Sequence, residues 1–318
     1  MLKRNFYGAL IVNITLTYLI SRLIAPTLLV LSLTTTVTAQ DLGPAVRKVS
    51  DGIYVYAQKA ADSNCGIIIS KEGVLLVDSG HWPADSNAVA SIVKKLTAQP
   101  VNFVVNTEPH DDHTTGHFVF SPPAVVVAAI GTGKAMREAG YEARNLKQMA
   151  TDPKMAEEFK GYHMVTPQVE YQGRMTLNVG ERTVELIQLK NVHSEADTAI
   201  WLPKERVLFA TAAVGVKRFP NIRPFLKIED ILSSIKQMRA LNPEVVVAGH
   251  GAPGTTAIFD EMERYYGFLL DRVGKLVREG RTLAQIKAEI RMPEFDDWEA
   301  KERFPNNVDA AYRAVTKS

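Results

Sequence analysis

The chain has 318 residues, of which 46% are hydrophobic and 23% charged, a composition typical of a globular protein and unlike that of disordered or repetitive chains. Its formal net charge is +2, but Lys3, Arg4 and Arg22 lie within the first 39 residues, which contain no acidic residue. Residues 40–318 therefore carry 34 basic and 35 acidic side chains, and this near-neutral balance gives no electrostatic basis for binding nucleic acid.

The N-terminal segment has the pattern of a secretory signal peptide. Two basic residues precede an apolar run from Leu23 to Leu33, and Val37-Thr38-Ala39 resembles a small-residue cleavage site. Residues 6–33 are also long enough for an uncleaved membrane anchor, although an arginine near their middle opposes it. We expect cleavage after Ala39 and export to the periplasm or the medium. The protein would then contact a membrane only if the segment stays uncleaved.

After this segment, short apolar runs typical of strands are interspersed with stretches of helical periodicity. In the first half, strands are predicted at Gly52–Gln58, Gly66–Ser70, Val74–Asp78, Val101–Val105 and Ala124–Ile130, and helices at Ala84–Thr97 and from Gly133 to about Lys160. In the second half, strands are predicted at Arg174–Val179, Arg182–Leu189, Ala199–Leu202, Val207–Ala210 and Val245–Ala248, and helices at Ile228–Leu241, Ile258–Arg278 and Leu283–Ile290. This mixture favours an α+β fold in which helices cover mixed sheets, and without a long linker it favours one domain over residues 40–318.

Potential metal ligands lie at the ends of predicted strands. His110, His113, His193 and His250 each follow such a strand, and strand ends bring loops together in a layered fold. A single histidine of this kind is more often an ordinary loop residue. The crowded segment Glu108–His113 changes that expectation, because its negative charges repel one another unless a cation offsets them. Imidazole and carboxylate donors suit zinc, and an N/O site also leaves iron and manganese open.

The segment Asn106–Gly116, NTEPHDDHTTG, resembles the His-x-His-x-Asp-His signature of the metallo-β-lactamase superfamily. Three further motifs occur in the family's order: Val77-Asp78-Ser79-Gly80, His193–Thr198 and Gly249-His250-Gly251. The resemblance covers the chain from about Gly52 to Gly254. It implies a four-layer αββα sandwich with metals at one edge of the two sheets.

The resemblance also implies a role for each residue of the motifs. Two groups of ligands are expected, holding one or two ions in all: Glu108, His110 and His193; and Asp112, His113 and His250. Asp78 and Asp197 would support these ligands from behind. A hydroxide held by the metals would attack a carbonyl or similar centre, and Asp112 would orient it and accept a proton from it.

Two positions depart from the family pattern. Glu108 stands where a histidine is usual, which adds negative charge to the first group or, if the side chain turns away, leaves a mononuclear site. Ala212 stands where many subfamilies have a bridging Asp, and alanine offers no donor. The sequence is thus similar to the third subclass of metallo-β-lactamases, which also lacks the bridging Asp.

The leading hypothesis is a zinc-dependent hydrolase that acts on a small ester, thioester, amide or β-lactam. An iron-dependent oxidoreductase similar to sulfur dioxygenases is one alternative, and Ala212 counts against it. A non-catalytic periplasmic protein that binds a metal or ligand through a degenerate site is the other, motivated by Glu108 and Ala212. Specificity is expected to depend on loops such as Val214–Leu226, and the sequence leaves the oligomeric state open.

Overall fold

The computed structural model describes residues 41–57, 63–212 and 214–316. The predicted leader and its cleavage site lie outside the described residues. Within the described residues, none of the helices has the length and apolar character that crossing a membrane requires.

The first sheet has seven strands whose spatial order follows the chain. They are β1 (Val46–Ser50), β2 (Ile53–Tyr56), β3 (Cys65–Ile69), β4 (Val74–Val77), β5 (Val101–Val105), β6 (Val125–Ala129) and β7 (Val169–Tyr171). Strands β1 to β4 form an antiparallel meander, and β4 to β7 pair in parallel. Because β4 and β5 are parallel neighbours, the loops that follow them leave the same edge of the sheet.

The second sheet has five strands in the order β12-β11-β10-β9-β8. They are β8 (Arg174–Val179), β9 (Arg182–Leu189), β10 (Asp197–Leu202), β11 (Val207–Phe209) and β12 (Val245–Val247). All neighbours are antiparallel except β11 and β12, which run in parallel. The loop between β9 and β10 carries His193, and the segment after β12 carries His250.

Ten α-helices lie within the described residues. They are α1 (Pro83–Leu96), α2 (Asp111–Thr114), α3 (His117–Phe120), α4 (Thr132–Glu138), α5 (Tyr141–Thr151), α6 (Pro153–Glu158), α7 (Ile228–Ala240), α8 (Ala257–Arg278), α9 (Leu283–Glu289) and α10 (Phe304–Thr316). Short 3₁₀ turns at Pro293–Phe295 and Lys301–Arg303 join α9 to α10.

Three apolar clusters define the layers. The central cluster joins the facing sides of the two sheets, with Ile68 and Phe209 among its fully buried members. A second cluster packs α1 and α3 on the outer face of the first sheet, and the largest packs α7, α8 and α10 on the outer face of the second. The order helix, sheet, sheet, helix is the predicted αββα sandwich, which is confirmed. At Gly66 the sheets approach so closely that a Cβ atom would lie 2.5 Å from the Phe209 ring.

All the predicted strands are found within two residues of their expected bounds, and the largest differences are that β10 begins two residues earlier and β2 ends two residues earlier. The single helix predicted from Gly133 to about Lys160 is instead three helices. The first break is at Gly140, whose φ of +67° ends α4, and the second is at Pro153, which follows the cap residue Asp152 and begins α6. Strands β1 and β7 and helix α10 were not predicted.

Candidate metal centre

Three segments of the chain place the predicted ligands at one edge of the two sheets. The segment after β5 supplies Glu108 and His110, and Asp112 and His113 lie in the first turn of α2. The other two histidines come from the second sheet, where they follow β9 and β12. The chain thus assembles two groups of donor atoms, each within 4.8 Å of one another: Glu108, His110 and His193; and Asp112, His113 and His250.

The first group is centred on the buried carboxylate of Glu108. Its Oε2 atom contacts Nδ1 of His110, and its Oε1 atom lies 3.6 Å from Nε2 of His193. The rings of these two histidines stand almost perpendicular, with centroids 5.1 Å apart. This arrangement directs two imidazole nitrogens and a carboxylate towards a common point.

The second group is centred on Asp112, which is the most exposed of its three residues. Its Oδ2 atom lies 3.6 Å from Nε2 of His113 and 3.4 Å from Nε2 of His250. These two rings are also nearly perpendicular, with centroids 5.5 Å apart. Asp112 is therefore the ligand candidate most accessible to a substrate.

The donor sets fit a divalent cation. The atoms Glu108 Oε1, His110 Nδ1 and His113 Nε2 are buried and have no hydrogen-bond partner, which costs free energy unless something else satisfies them. Ligand atoms around a tetrahedral ion with bonds of about 2.1 Å are about 3.4 Å apart. The separations of 3.4–3.6 Å found in both groups agree with that spacing.

Asp78 orients His113 from behind. Its Oδ2 atom lies 2.7 Å from Nδ1 of His113 and accepts a hydrogen bond from the Thr107 hydroxyl at 2.6 Å. Its Oδ1 atom accepts from the Thr107 backbone N–H at 2.7 Å and from the Asn106 amide at 3.0 Å. A proton on Nδ1 leaves the lone pair of Nε2 of His113 to bind a metal.

Asp197 organises the loop that carries His193. Its buried carboxylate accepts hydrogen bonds from the backbone N–H of His193 at 2.7 Å and from the Ser194 hydroxyl at 2.7 Å. Burial and the nearby charge of Glu108 raise the pKa of Asp197 to about 6. Asp197 thus fixes the backbone of the ligand loop, whereas Asp78 contacts a ligand ring directly.

Charge and burial shift the pKa of Glu108, and that of His113, in opposite directions. Burial alone would raise the pKa of Glu108, but His113, His110 and His193 outweigh it and hold that pKa well below its usual range. For His113, burial is outweighed by the carboxylates of Glu108, Asp112 and Asp78, and the pKa is raised. Burial lowers the pKa of His193, and it lowers that of His250 to about 4, which favours the neutral, metal-binding form of both.

Several residues of the site were not predicted. The amide of Asn64 donates to the carbonyls of Ala248 at 2.9 Å and Gly251 at 2.7 Å, which holds the loop carrying His250. Gly249, just before that ligand, packs on Ala212 so closely that a Cβ atom would lie 2.6 Å from the Ala212 Cα. Position 212 therefore lies beside the second group, although its methyl group binds nothing there.

Three arginines lie near the metal groups. Arg223, in the predicted specificity loop, donates to the His193 carbonyl at 2.7 Å. Arg218, whose side chain is 12% exposed, lies 3.5 Å from Glu299, and Arg303 donates to the Phe219 carbonyl. Burial and the charge of Arg218 lower the pKa of Arg303, and the charge of Asp112 opposes this shift. These guanidinium groups interact electrostatically with His193, His250 and Asp112, and no sequence motif marks them.

The remaining histidines lie outside the two groups. His81 approaches Asp111 at 3.4 Å and stacks on Trp82. His117 is buried and pairs through Nδ1 with the Val165 carbonyl at 3.0 Å. His163 is exposed.

A family model described as the metallo-beta-lactamase superfamily matches residues 59–250, which is more than half of the chain. A metallo-beta-lactamase type 2 from Bacillus sp. (strain 170) is 23% identical over 220 residues, covering 66% of this chain and 77% of the relative.

Solved structures with the same fold include two types of enzyme. A sec-alkylsulfatase from Pseudomonas sp. superposes with a TM-score of 0.65 and 19% identity, covering 85% of this chain. The matched region spans only 50% of the alkylsulfatase chain, so the similarity concerns half of that protein. A metallo-beta-lactamase from Pontibacter korlensis superposes with a TM-score of 0.52 and 23% identity, covering 68% of this chain and 95% of its own.

Proposed function

The chain belongs to the metallo-beta-lactamase superfamily of hydrolases, and we propose that it uses zinc to hydrolyse a small ester, thioester, amide or β-lactam. The observation that carries this proposal is the pair of donor groups at one sheet edge, with three buried donor atoms that lack a hydrogen-bond partner. One or two ions would be held by these groups, and iron or manganese also suits their nitrogen and oxygen donors.

A bound divalent cation supplies an acidified water molecule and an electrophile for the carbonyl oxygen. The protein's own contribution begins with Asp112, whose carboxylate is partly exposed between His113 and His250. In this proposal Asp112 orients the attacking water and accepts its proton. His113 is kept in one tautomer by Asp78, and His193 is kept in place by the backbone contacts of its loop.

Hydrolysis of a sulfate ester is a second candidate. The alkylsulfatase fold covers 85% of this chain, more than the 254 residues up to Gly254, so the likeness extends into the C-terminal region. In that region the 3₁₀ turn before α10 supplies Arg303. Arg218 and Arg223 add further guanidinium groups beside the metal groups. A sulfate or carboxylate group on the substrate would offset this positive charge.

The test is a substrate screen of the zinc-loaded protein that lacks residues 1–39. Chromogenic cephalosporin, lactone, thioester, carboxylic ester and alkyl sulfate substrates would be compared at equal concentration. We expect turnover with one class and its loss in His110→Ala and in Asp112→Asn, whereas His163→Ala, at the surface, serves as the matched control. Full activity in both site variants would refute the mechanism.

The same protein preparation tests the two alternatives. Tightly bound iron and oxygen consumption with a persulfide substrate would support an oxidoreductase. Metal below one ion per chain and no turnover in any class would support a binding protein with a degenerate site.

We further propose that the protein is exported and cleaved after Ala39. The support is the charged start and apolar run of the leader. Expression of the full chain in a bacterium, followed by mass measurement of the protein in the periplasmic fraction, should give a chain that begins at Gln40. Intact full-length protein in the membrane fraction would contradict cleavage.

A further inference from the structure

The carboxylate of Glu108 touches both groups of donors. Its Oε1 atom lies 3.6 Å from Nε2 of His193, in the first group, and 2.9 Å from Nε2 of His113, in the second. Its other oxygen contacts His110. Glu108 is thus the residue of the first group that also reaches a histidine of the second.

The contact between Glu108 and His113 is not a hydrogen bond for either of the two atoms that form it. Oε1 of Glu108 and Nε2 of His113 both lack a hydrogen-bond partner, although they are 2.9 Å apart and buried. Nδ1 of the same histidine faces Asp78, so when a cation takes the place of a proton on Nε2, that nitrogen presents its lone pair on the side of the carboxylate. Two lone-pair donors facing each other at this distance are stable when a cation lies between them.

Position 212 cannot bridge the two donor groups. Ala212 packs on Gly249, immediately before His250, and its methyl group has no donor atom. Asp112 contacts histidines of its own group only, at 3.4 and 3.6 Å. Among the described ligand candidates, Glu108 therefore has the one carboxylate placed against both groups.

We propose that Glu108 bridges two metal ions, one in each donor group, in place of the donor that position 212 lacks. A shared carboxylate brings one negative charge to two cations and couples their binding, because each ion fixes the side chain in the orientation that the other requires. The inference rests on the proposed metal site and extends it from one or two separate ions to a coupled pair.

The test uses Co²⁺ as the probe, with the apoprotein lacking residues 1–39. Titration should give two ions per chain. His193→Ala removes a donor from the first group only and His250→Ala from the second only, and each should retain one ion. Glu108→Gln keeps the size of the side chain but weakens its donor, and we expect both affinities to fall by about tenfold or more. If Glu108→Gln instead retains one ion at full affinity, as His193→Ala does, Glu108 belongs to the first group alone and the proposal is wrong.

Electron paramagnetic resonance provides a second, independent measurement. The doubly loaded protein should show magnetically coupled Co²⁺ ions, and Glu108→His should weaken the coupling because imidazole keeps a donor in the first group without bridging. Adding Ala212→Asp to Glu108→His should restore the magnetic coupling. This comparison does not use Glu108→Gln, so it can be made even if that variant does not fold. Uncoupled spins in the unaltered protein would overturn the bridge. Neither measurement involves a substrate, so a protein with coupled ions and no turnover would contradict only the proposed hydrolase function.

Discussion

At the residue scale, the site depends on carboxylates that bind no metal themselves. Asp78 has a left-handed φ of +58°, a conformation that few non-glycine residues adopt, and its two oxygens together contact His113, Thr107 and Asn106. Such strain is maintained where surrounding contacts fix the side chain. Asp78 therefore links the end of β4 to the ligand segment after β5.

Replacing Asp78 with asparagine should weaken metal binding. The amide would present an N–H₂ group where the carboxylate accepts hydrogen bonds, so His113 would lose its fixed tautomer. We expect metal affinity to fall by about 10- to 100-fold, measured by competition with a chromophoric chelator. Asp51→Asn, at a fully exposed position, is the control and should leave the affinity unchanged. An Asp78→Asn protein with unaltered affinity would show that the orientation of His113 does not depend on this contact.

His117 should make folding stability sensitive to acid. Burial lowers its pKa below 6.5, so the folded protein prefers the neutral ring, whereas the unfolded chain binds a proton near pH 6.5. Stability is therefore retained above pH 6.5 and lost as pH falls below it, by at most about 1.4 kcal/mol per pH unit for one proton. Urea unfolding of the apoprotein at several pH values should show a shallower loss in His117→Gln. The exposed His163→Gln is the control, and equal slopes in both variants would exclude this role.

At the same scale, residue type and position predicted the ligand candidates but not the residues that hold their loops. The six ligand candidates could be found because histidines and acids followed buried strands and matched a motif. Asn64 and Arg223 could not, because each is a single polar residue in a loop with no periodic pattern. Their partners are backbone carbonyls of distant segments, which carry no sequence signal.

At the scale of elements, the strands with continuous burial were the easiest to predict. Strand β4, buried at every position, appears in the sequence as an uninterrupted apolar run, and so does the part of β10 from Ala199 to Leu202. Strands β1 and β7 lie at the two ends of the first sheet and are partly polar, so hydrophobic pattern does not distinguish them from loops. The segment predicted as one helix after Gly133 shows that periodicity continues across breaks set by glycine and proline.

Helix α9 offers a test of local stabilisation. It begins with a capping box, in which the Thr282 hydroxyl accepts from the Gln285 backbone N–H and the Gln285 side chain accepts from the Thr282 backbone N–H. Thr282→Ala should lower the free energy of unfolding by about 1 kcal/mol, measured by urea denaturation. Ser91→Ala, within exposed turns of α1, removes a hydroxyl without a cap and should change stability by less than about 0.5 kcal/mol. Equal effects would indicate that the cap adds nothing.

The packing of α8 on the second sheet predicts a larger loss of stability than the loss of the α9 cap. Leu269 of α8 is fully buried in the cluster formed by the C-terminal helices and the outer face of that sheet. Leu269→Ala should destabilise the fold by about 2–5 kcal/mol, as the cavity cannot close completely. Leu146→Ala, at an exposed position of α5, is the matched control and should have little effect. A small change at position 269 would mean that the C-terminal helices contribute little to the stability of the domain.

At the scale of the whole molecule, the metal ligands join both sheets. Four of them follow β5 or lie in α2, whereas His193 and His250 belong to the second sheet. Ions bound here should therefore stabilise the entire sandwich. At a free concentration of 1,000 times the dissociation constant, one ion adds about 4 kcal/mol. Calorimetry should show a lower Tm after chelation and recovery with Zn²⁺, and His110→Ala combined with His250→Ala should lose most of that recovery.

The overall architecture followed from the sequence because several motifs in a fixed order specify one fold. The arrangement of the C-terminal helices did not, because no motif lies in them and their packing depends on apolar contacts distributed over α7, α8 and α10. The position of Arg303, in the 3₁₀ turn before α10 and within electrostatic reach of Asp112, could be seen only after those helices were placed.

The hydrogen bonds from Asn64 to Ala248 and Gly251 join chain segments 184 and 187 positions apart. Contacts of such long sequence separation form late in folding, because the intervening chain must first be ordered. The second donor group is therefore completed only when the residue before β3 meets the segment after β12. In a refolding experiment, the visible absorption of bound Co²⁺ would then report the final step of assembly, after the backbone signal of the sheets has developed.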